Sequence, residues 1–167
     1  IPKIVQFDSS WLEFGYRTSK LKEMKSRYKP VVLAVKFQLA QNQKEELMRK
    51  LKEYQEKRQK TQPVGSSAGS IFRNPIPKEL INITGSGTRG MPVLPPERTA
   101  GYMLDRAGVK GLKSGSAEVS HQHANFIINK IGANATDIRS LIEAMRERVK
   151  QKFEVTLEEE IEYVGQW

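Results

Sequence analysis

A chain of 167 residues has room for one domain, or for one domain and a piece of another, and an apolar share of 38% supports only a modest core. The absence of cysteine excludes disulfides, thiolate metal sites and a cysteine nucleophile, and it fits a reducing cytosol. The net charge of +9 points to an anionic partner, either nucleic acid or a phosphate-bearing small molecule, although a solvated basic face would also account for it. No stretch reaches the roughly 20 apolar residues of a membrane span, and no signal peptide is visible. The sequence opens on Ile1-Pro2 and not on methionine, which reads as a processed product or a fragment of something longer.

Taken in chain order, Ile4 to Phe7 is an apolar run too short to assign. Val31 to Leu39 is β-branched and apolar, bounded by Pro30 and by Gln41-Asn42, and it reads as a buried strand. From Asn42 to Lys60, Leu47, Leu51 and Tyr54 recur at helical spacing among lysines and glutamates, which predicts an amphipathic helix with Asn42 as its N-cap. Thr61 to Gly69 is rich in small residues and marks a linker or site loop at a domain boundary. Asn82 to Pro96, rich in Gly, Pro and Thr, is expected to be irregular. Thr99 caps a predicted helix that runs to about Ala107 and is closed by Gly108. Ala117 to Val119 and Asn125 to Asn129 read as short strands. Thr136 is the expected cap of a long helix whose stripe is Ile138, Leu141, Ile142, Met145 and Val149. Val155 to Leu157 and Ile161 to Val164 give a last strand pattern. Helices and strands without regular βαβ alternation predict an α+β fold, a small sheet packed with helices.

Three segments stand out: Phe14-Gly15-Tyr16-Arg17-Thr18-Ser19, then Ser67-Ala68-Gly69-Ser70-Ile71-Phe72-Arg73-Asn74-Pro75, and the stretch Gln151 to Gly165 with Leu157-Glu158-Glu159-Glu160. Between the last two lie Ala117-Glu118-Val119-Ser120 and His123-Ala124-Asn125-Phe126-Ile127-Ile128-Asn129. Singly, Ser70 is any loop serine and Glu160 any solvated acid. In this order and at this spacing, from Trp11 to Gly165, they resemble the UDP-N-acetylenolpyruvoylglucosamine reductases, and the segment from Gly69 to Pro75 is the most specific mark.

The resemblance implies a flavoenzyme of peptidoglycan precursor synthesis. Such enzymes bind FAD in two N-terminal domains and a UDP-sugar in a third. NADPH reduces the flavin, and hydride then passes to the enolpyruvyl group of UDP-N-acetylglucosamine enolpyruvate to give UDP-N-acetylmuramate. Residues 1–60 would be the end of an FAD-binding domain and 61–167 the substrate domain, in a cytoplasmic enzyme with no nucleic-acid or membrane partner. The segments that hold the flavin phosphates are not among these residues, so FAD would be bound mainly by an N-terminal FAD-binding domain, and the chain alone is expected to copurify without stoichiometric flavin. No room exists between Leu39 and Lys60 for the inserted tyrosine-bearing loop of the longer subfamily, so the chain resembles the shorter one.

Residue by residue, the resemblance makes Arg17 the active-site arginine, Ser70 the proton donor and Glu160 the catalytic glutamate, although relatives usually carry proline where Glu159 stands. It assigns Asn74, Lys110 and His123 to the UDP-sugar and Arg58 to the cofactor. Lys60 stands next to Thr61, where some relatives have a lysine for the diphosphate. Glu162 replaces a usual arginine. The chemistry gives the catalytic three a reason. Hydride arriving at the enol-ether carbon pushes negative charge onto the neighbouring carbon and its carboxylate, a guanidinium stabilises that charge, and a hydroxyl delivers the proton. Glu160 is then expected protonated in the active complex, or paired with Arg17.

Two other classes compete with this one. A basic nucleic-acid-binding module would use the Lys/Arg-rich helix, but no paired aromatic platform and no finger spacing accompany it. A non-catalytic UDP-sugar-binding fragment would differ only in working without flavin.

Overall fold

The structure, a computed structural model, describes residues 3–25, 29–75 and 94–165. Two units make it up: Ile1–Gln41 with Ile76–Val93, and Asn42–Pro75 with Leu94–Trp167.

In the first unit, local polar contacts fix a short run of turns. The Asp8 carboxylate accepts the Ser10 and Trp11 N–H groups and opens a 3-10 turn at Ser9–Leu12. Phe7 and Trp11 stack with ring centroids 3.9 Å apart, and Lys20 lies over Trp11 while pairing with Glu13 at 2.7 Å. Ser19 caps helix α1, Lys20–Glu23. Just before it, Gly15 and Thr18 exchange both backbone hydrogen bonds, at 3.1 and 3.3 Å, which leaves Tyr16 and Arg17 at the tip of a tight turn. The predicted strand Val31 to Leu39 does not form: the segment pairs with no strand among the described residues, and Val31 is 81%, Phe37 77% and Leu39 85% exposed. A β-branched run becomes a strand only where a neighbour supplies its N–H and C=O partners, and among the described residues none lies beside it.

The second unit opens with helix α2, Lys44–Thr61. Its N-cap is Gln43, not Asn42, whose side chain instead accepts the Gln43 N–H at 2.7 Å. The helix buries none of its residues, and Leu47, Leu51 and Tyr54 are exposed. Its support is local, including Lys50–Glu46 and Arg49–Glu53 pairs at i,i+4. Helix α3, Ala100–Arg106, starts on Thr99, whose hydroxyl accepts the Tyr102 N–H, and Gly108 follows it at φ 69°. This left-handed turn is the C-terminal geometry that favours glycine.

Strands β1 (Lys113–Ser114), β2 (Ala117–Val119) and β3 (Ile127–Asn129) form an antiparallel sheet in that order. The pairing sets Ala117 opposite Asn129 and Val119 opposite Ile127. Helix α4, Ala135–Phe153, covers the sheet. Its predicted stripe is real: Leu141, Ile142, Met145 and Val149 are buried and Ile138 partly so. Its cap is Asn134, not Thr136. The Asn134 side chain accepts the Asp137 N–H while the Asp137 carboxylate accepts the Asn134 N–H, a reciprocal box that satisfies two otherwise orphaned donors. The stripe meets Leu104, Val109, Val119, Ile71, Phe72 and Leu157 in one core. The last predicted strand shrinks to a single bridge, Phe72 opposite Glu159. The predicted irregular stretch Asn82 to Pro96 lies outside the described residues up to 93, and a 3-10 turn, Pro96–Arg98, closes it.

Candidate active site

Residues Gly69 to Arg73 are pinned along both edges. Gly69 turns the chain at φ 86°, a conformation that side chains resist. Ser70 then bridges Phe126, and the Ile71 N–H donates to the Asn125 carbonyl at 2.9 Å. The Asn125 carboxamide grips the next residue twice, accepting the Phe72 N–H at 2.9 Å and donating to the Phe72 carbonyl at 2.8 Å. A primary amide is the neutral side chain with both functions at one end. On the opposite edge the Glu160 N–H donates to the Ile71 carbonyl at 2.8 Å and the Arg73 N–H to the Glu158 carbonyl at 3.0 Å. Ile71 and Phe72 anchor this patch in the core, each 1% exposed. Ser70 and Glu160 are both half-buried, so two expected catalytic residues come from adjoining backbone segments.

The Asn74 side-chain oxygen accepts the Ala100 N–H at 3.0 Å and thereby helps cap α3. His123 is half-buried: its Nδ1 accepts the Asn125 N–H at 3.2 Å, its ring meets Phe126 edge-on at 4.8 Å, and it packs against Gly101. Burial, and then the positive charge of Lys110, hold the imidazole below its ordinary pKa. Lys110 is paired with Asp105 at 2.9 Å. The loop that carries His123 is tied on both sides. Ser120 Oγ accepts the Gln122 and His123 N–H groups, and the Gln122 carboxamide donates to the Gln59 and Lys60 carbonyls at 3.1 Å each. That last contact satisfies open carbonyls at the end of α2 and brings exposed Lys60 to the loop. Arg58, also on α2, donates from Nε to Gln62 at 3.2 Å. The Thr61 hydroxyl bonds the Lys57 carbonyl at 2.8 Å, so it serves the helix end. Arg17 belongs to the first unit, exposed at its turn with φ 58° and with its guanidinium 5.9 Å from the Tyr16 ring centroid. The second unit thus gathers the 70–74 segment, His123, Lys110 and Glu160, with Arg58 and Lys60 on the attached helix.

Sequence reasoning quoted Asn125 and Ser120 without giving them a role and did not single out Arg146. Arg146, on α4, pairs with Glu159 and lies 5.9 Å from the Phe72 ring centroid. The legible signal was a buried-strand pattern interrupted by an asparagine. Glu118 was also given no role. It is nearly buried on β2, bonded to Lys130 and to His121 at 3.1 Å, with Lys113 at 4.0 Å. The hydrogen bond from Lys130 is the main cause holding its carboxyl below the usual range. A shallow hollow of about 670 Å³ opens there, but its charges already satisfy one another.

Residues 59–164 match the family described as UDP-N-acetylenolpyruvoylglucosamine reductase, C-terminal domain. Among similar proteins, UDP-N-acetylenolpyruvoylglucosamine reductase 1 of Bacillus cereus is 36% identical over 155 residues, 92% of this chain and 44% of that protein. The reductase of Carboxydothermus hydrogenoformans is 36% identical over 165 residues, 98% of this chain and 47% of its own length. The crystal structure of the Thermus caldophilus reductase superposes with a TM-score of 0.63 at 33% identity, covering 90% of this chain and 45% of that one. The chain spans about half the length of these relatives. With the Gly69–Pro75 segment, its Asn125 clasp and the 158–160 edge in one folded unit, the chain belongs to the UDP-N-acetylenolpyruvoylglucosamine reductase C-terminal domain family.

Proposed function

We propose that this chain supplies the substrate-binding and proton-delivering part of a flavin- and NADPH-dependent reductase that converts UDP-N-acetylglucosamine enolpyruvate to UDP-N-acetylmuramate. The observation that carries this reading is the pinned patch in which the backbones of Ser70 and Glu160 are separated by one hydrogen-bonded step, from Glu160 N–H to the carbonyl of Ile71. Reduction of the enol ether adds hydride to one carbon and a proton to its neighbour. The reduced flavin, when bound, supplies the hydride. Everything else falls to side chains. Arg17 stabilises the charge that develops on the substrate carboxylate, an interaction worth roughly 3–4 kcal/mol per donor in an enclosed site. Ser70 donates its hydroxyl proton to the carbanionic carbon. Serine is a weak acid, so its proton must be replaced as it leaves, a role suited to a protonated Glu160 on the adjoining segment. Asn74, whose oxygen is engaged at α3, has its amide donors for the UDP-sugar, and Lys110, Lys60 and His123 supply charge and hydrogen-bonding capacity for the diphosphate.

The described residues alone do not fit a flavin dinucleotide: Arg58 is a single exposed cation already bonded to Gln62, and a dinucleotide needs convergent donors. The apolar faces left open at Val31–Leu39 and along α2 suit the remainder of an FAD-binding domain, ending near residue 60, with the substrate domain following from 61.

The test is Ser70→Ala in the full-length enzyme, following flavin reoxidation and product formation separately. Turnover should fall by about 10²-fold or more, the range for losing a general acid, with the affinity for the UDP-sugar nearly unchanged. Turnover within a few-fold of wild type would remove Ser70 from the role.

A further inference from the structure

We infer that Arg146 is a positioning residue for Glu160, acting through the acid that precedes it. This rests on the reading of Glu160 as part of the reaction. Phe72 and Glu159 face each other across a bridge flanked by the Arg73 N–H to Glu158 carbonyl and Glu160 N–H to Ile71 carbonyl bonds, at 3.0 and 2.8 Å. In this arrangement the pair exchanges no hydrogen bond of its own and its side chains stand close on one face. That face is met by α4: the Arg146 guanidinium pairs with Glu159 and covers the Phe72 ring. Holding Glu159 against α4 therefore fixes the backbone from which Glu160 projects.

Beyond the core anchor of buried Leu157, two backbone bonds tie the 158–160 segment to residues 71–73, and a reacting group must be held within a narrow tolerance. The Arg146–Glu159 pair adds a third tie, and its burial decides that it matters. Its side chains are 31% and 19% exposed, whereas the neighbouring Arg73–Glu158 pair is 38% and 64% exposed. A pair as open as the second contributes little, and a half-buried, charge-assisted one contributes more. Arg146 is in turn fixed by the capped, core-packed helix between Met145 and Val149, both fully buried. The Arg146–Glu159 pair thus couples α4 to the Glu160 backbone alongside the Leu157 anchor.

The experiment uses four variants: Arg146→Gln and Glu159→Gln, which break the pair from either end, Glu159→Pro, and Arg146→Gln combined with Glu159→Pro. Proline suits position 159 because the ladder uses the N–H of Glu160 and not that of Glu159, and because its fixed φ stiffens the segment without a partner. In the 167-residue chain, amide exchange should show the Glu160 N–H losing protection by about tenfold or more in both glutamine variants, the scale of a charge-assisted contact, with Leu141 amide protection unchanged. In the Glu159→Pro background, Arg146→Gln should have no further effect. In the full-length enzyme the glutamine variants should lower kcat by a similar factor at constant KM for the UDP-sugar, and Glu159→Pro should restore it. Unchanged Glu160 protection, or an equal loss at Leu141, or the same loss in the proline background, would overturn the role of Arg146. Protection lost with kcat unchanged would instead remove Glu160 from the reaction.

Discussion

Asn125 shows how a single buried amide organises this site. Two backbone groups of Phe72 are satisfied by its carboxamide, and its own carbonyl receives the Ile71 N–H. Truncating it strands both Phe72 groups in the core, and each unpaired buried group costs about 1–3 kcal/mol. Asn125→Ala should therefore lower the unfolding midpoint well beyond what any exposed substitution does, and Asn125→Asp, which sets a buried carboxylate against the Phe72 carbonyl, should lower it at least as far. Thermal denaturation of the chain measures both. His123 gives a pH dependence of definite sign. Burial, then the charge of Lys110, favour its neutral ring, so the folded chain releases this proton more readily than the unfolded one. Between the depressed folded value and the ordinary value near 6.5, the unfolded chain binds more protons and stability rises with pH. The contribution is complete above that ordinary value and is lost as pH falls through the folded one. NMR titration of the His123 ring should give a midpoint below 6.5, and His123→Gln should flatten the fall of the unfolding midpoint with acid over that window.

At the scale of the element, α4 was legible because its pattern is both periodic and long: Leu141, Ile142, Met145 and Val149 repeat on one face, and no strand could present them together. Its start was not. The sequence reading set the cap at Thr136, whereas the reciprocal bonds between Asn134 and Asp137 set it at Asn134. Asn134→Ala should cost about 1 kcal/mol, within the 0.5–2 kcal/mol range of cap removals, and Thr136→Ala close to nothing. Comparing the two in urea denaturation separates the assignments. The segments Val31–Leu39 and Val155–Val164 failed as strands for a common reason. Apolar β-branched residues record a preference for a pleated, half-buried surface, and the ladder itself needs a partner. The first has none among the described residues, and the second meets only Phe72 and its neighbours.

At the scale of the whole molecule, the second unit has a continuous core, and the described residues of the first make local turns. Val31, Leu33, Val35, Phe37 and Leu39 in one unit are exposed apolar side chains in numbers that mark a surface made for burial, and so, separately, are Leu47, Met48, Leu51 and Tyr54 in the other. If an FAD-binding domain covers them, amide exchange of 31–39 should be fast in this chain and slowed by orders of magnitude in the full-length reductase, while Leu141 to Val149 stay protected in both. Equal exchange of 31–39 in the two proteins would exclude that cover.

By itself the sequence determined the α+β class, helices α2, α3 and α4, strands β2 and β3, and the segments that place the chain in its family, because these depend on periodicity and on local spacing that a linear chain displays. Only the tertiary structure decided that Asn125 clasps Phe72, that Asn74 caps α3, that Lys110 is held by Asp105, and that Arg146 reaches Glu159. These contacts join residues that are far apart in the chain, or that carry nothing distinctive at either end. A hydrogen bond or an ion pair is specified by distance and direction in space, and packing around Ile71, Phe72 and Met145 supplies those.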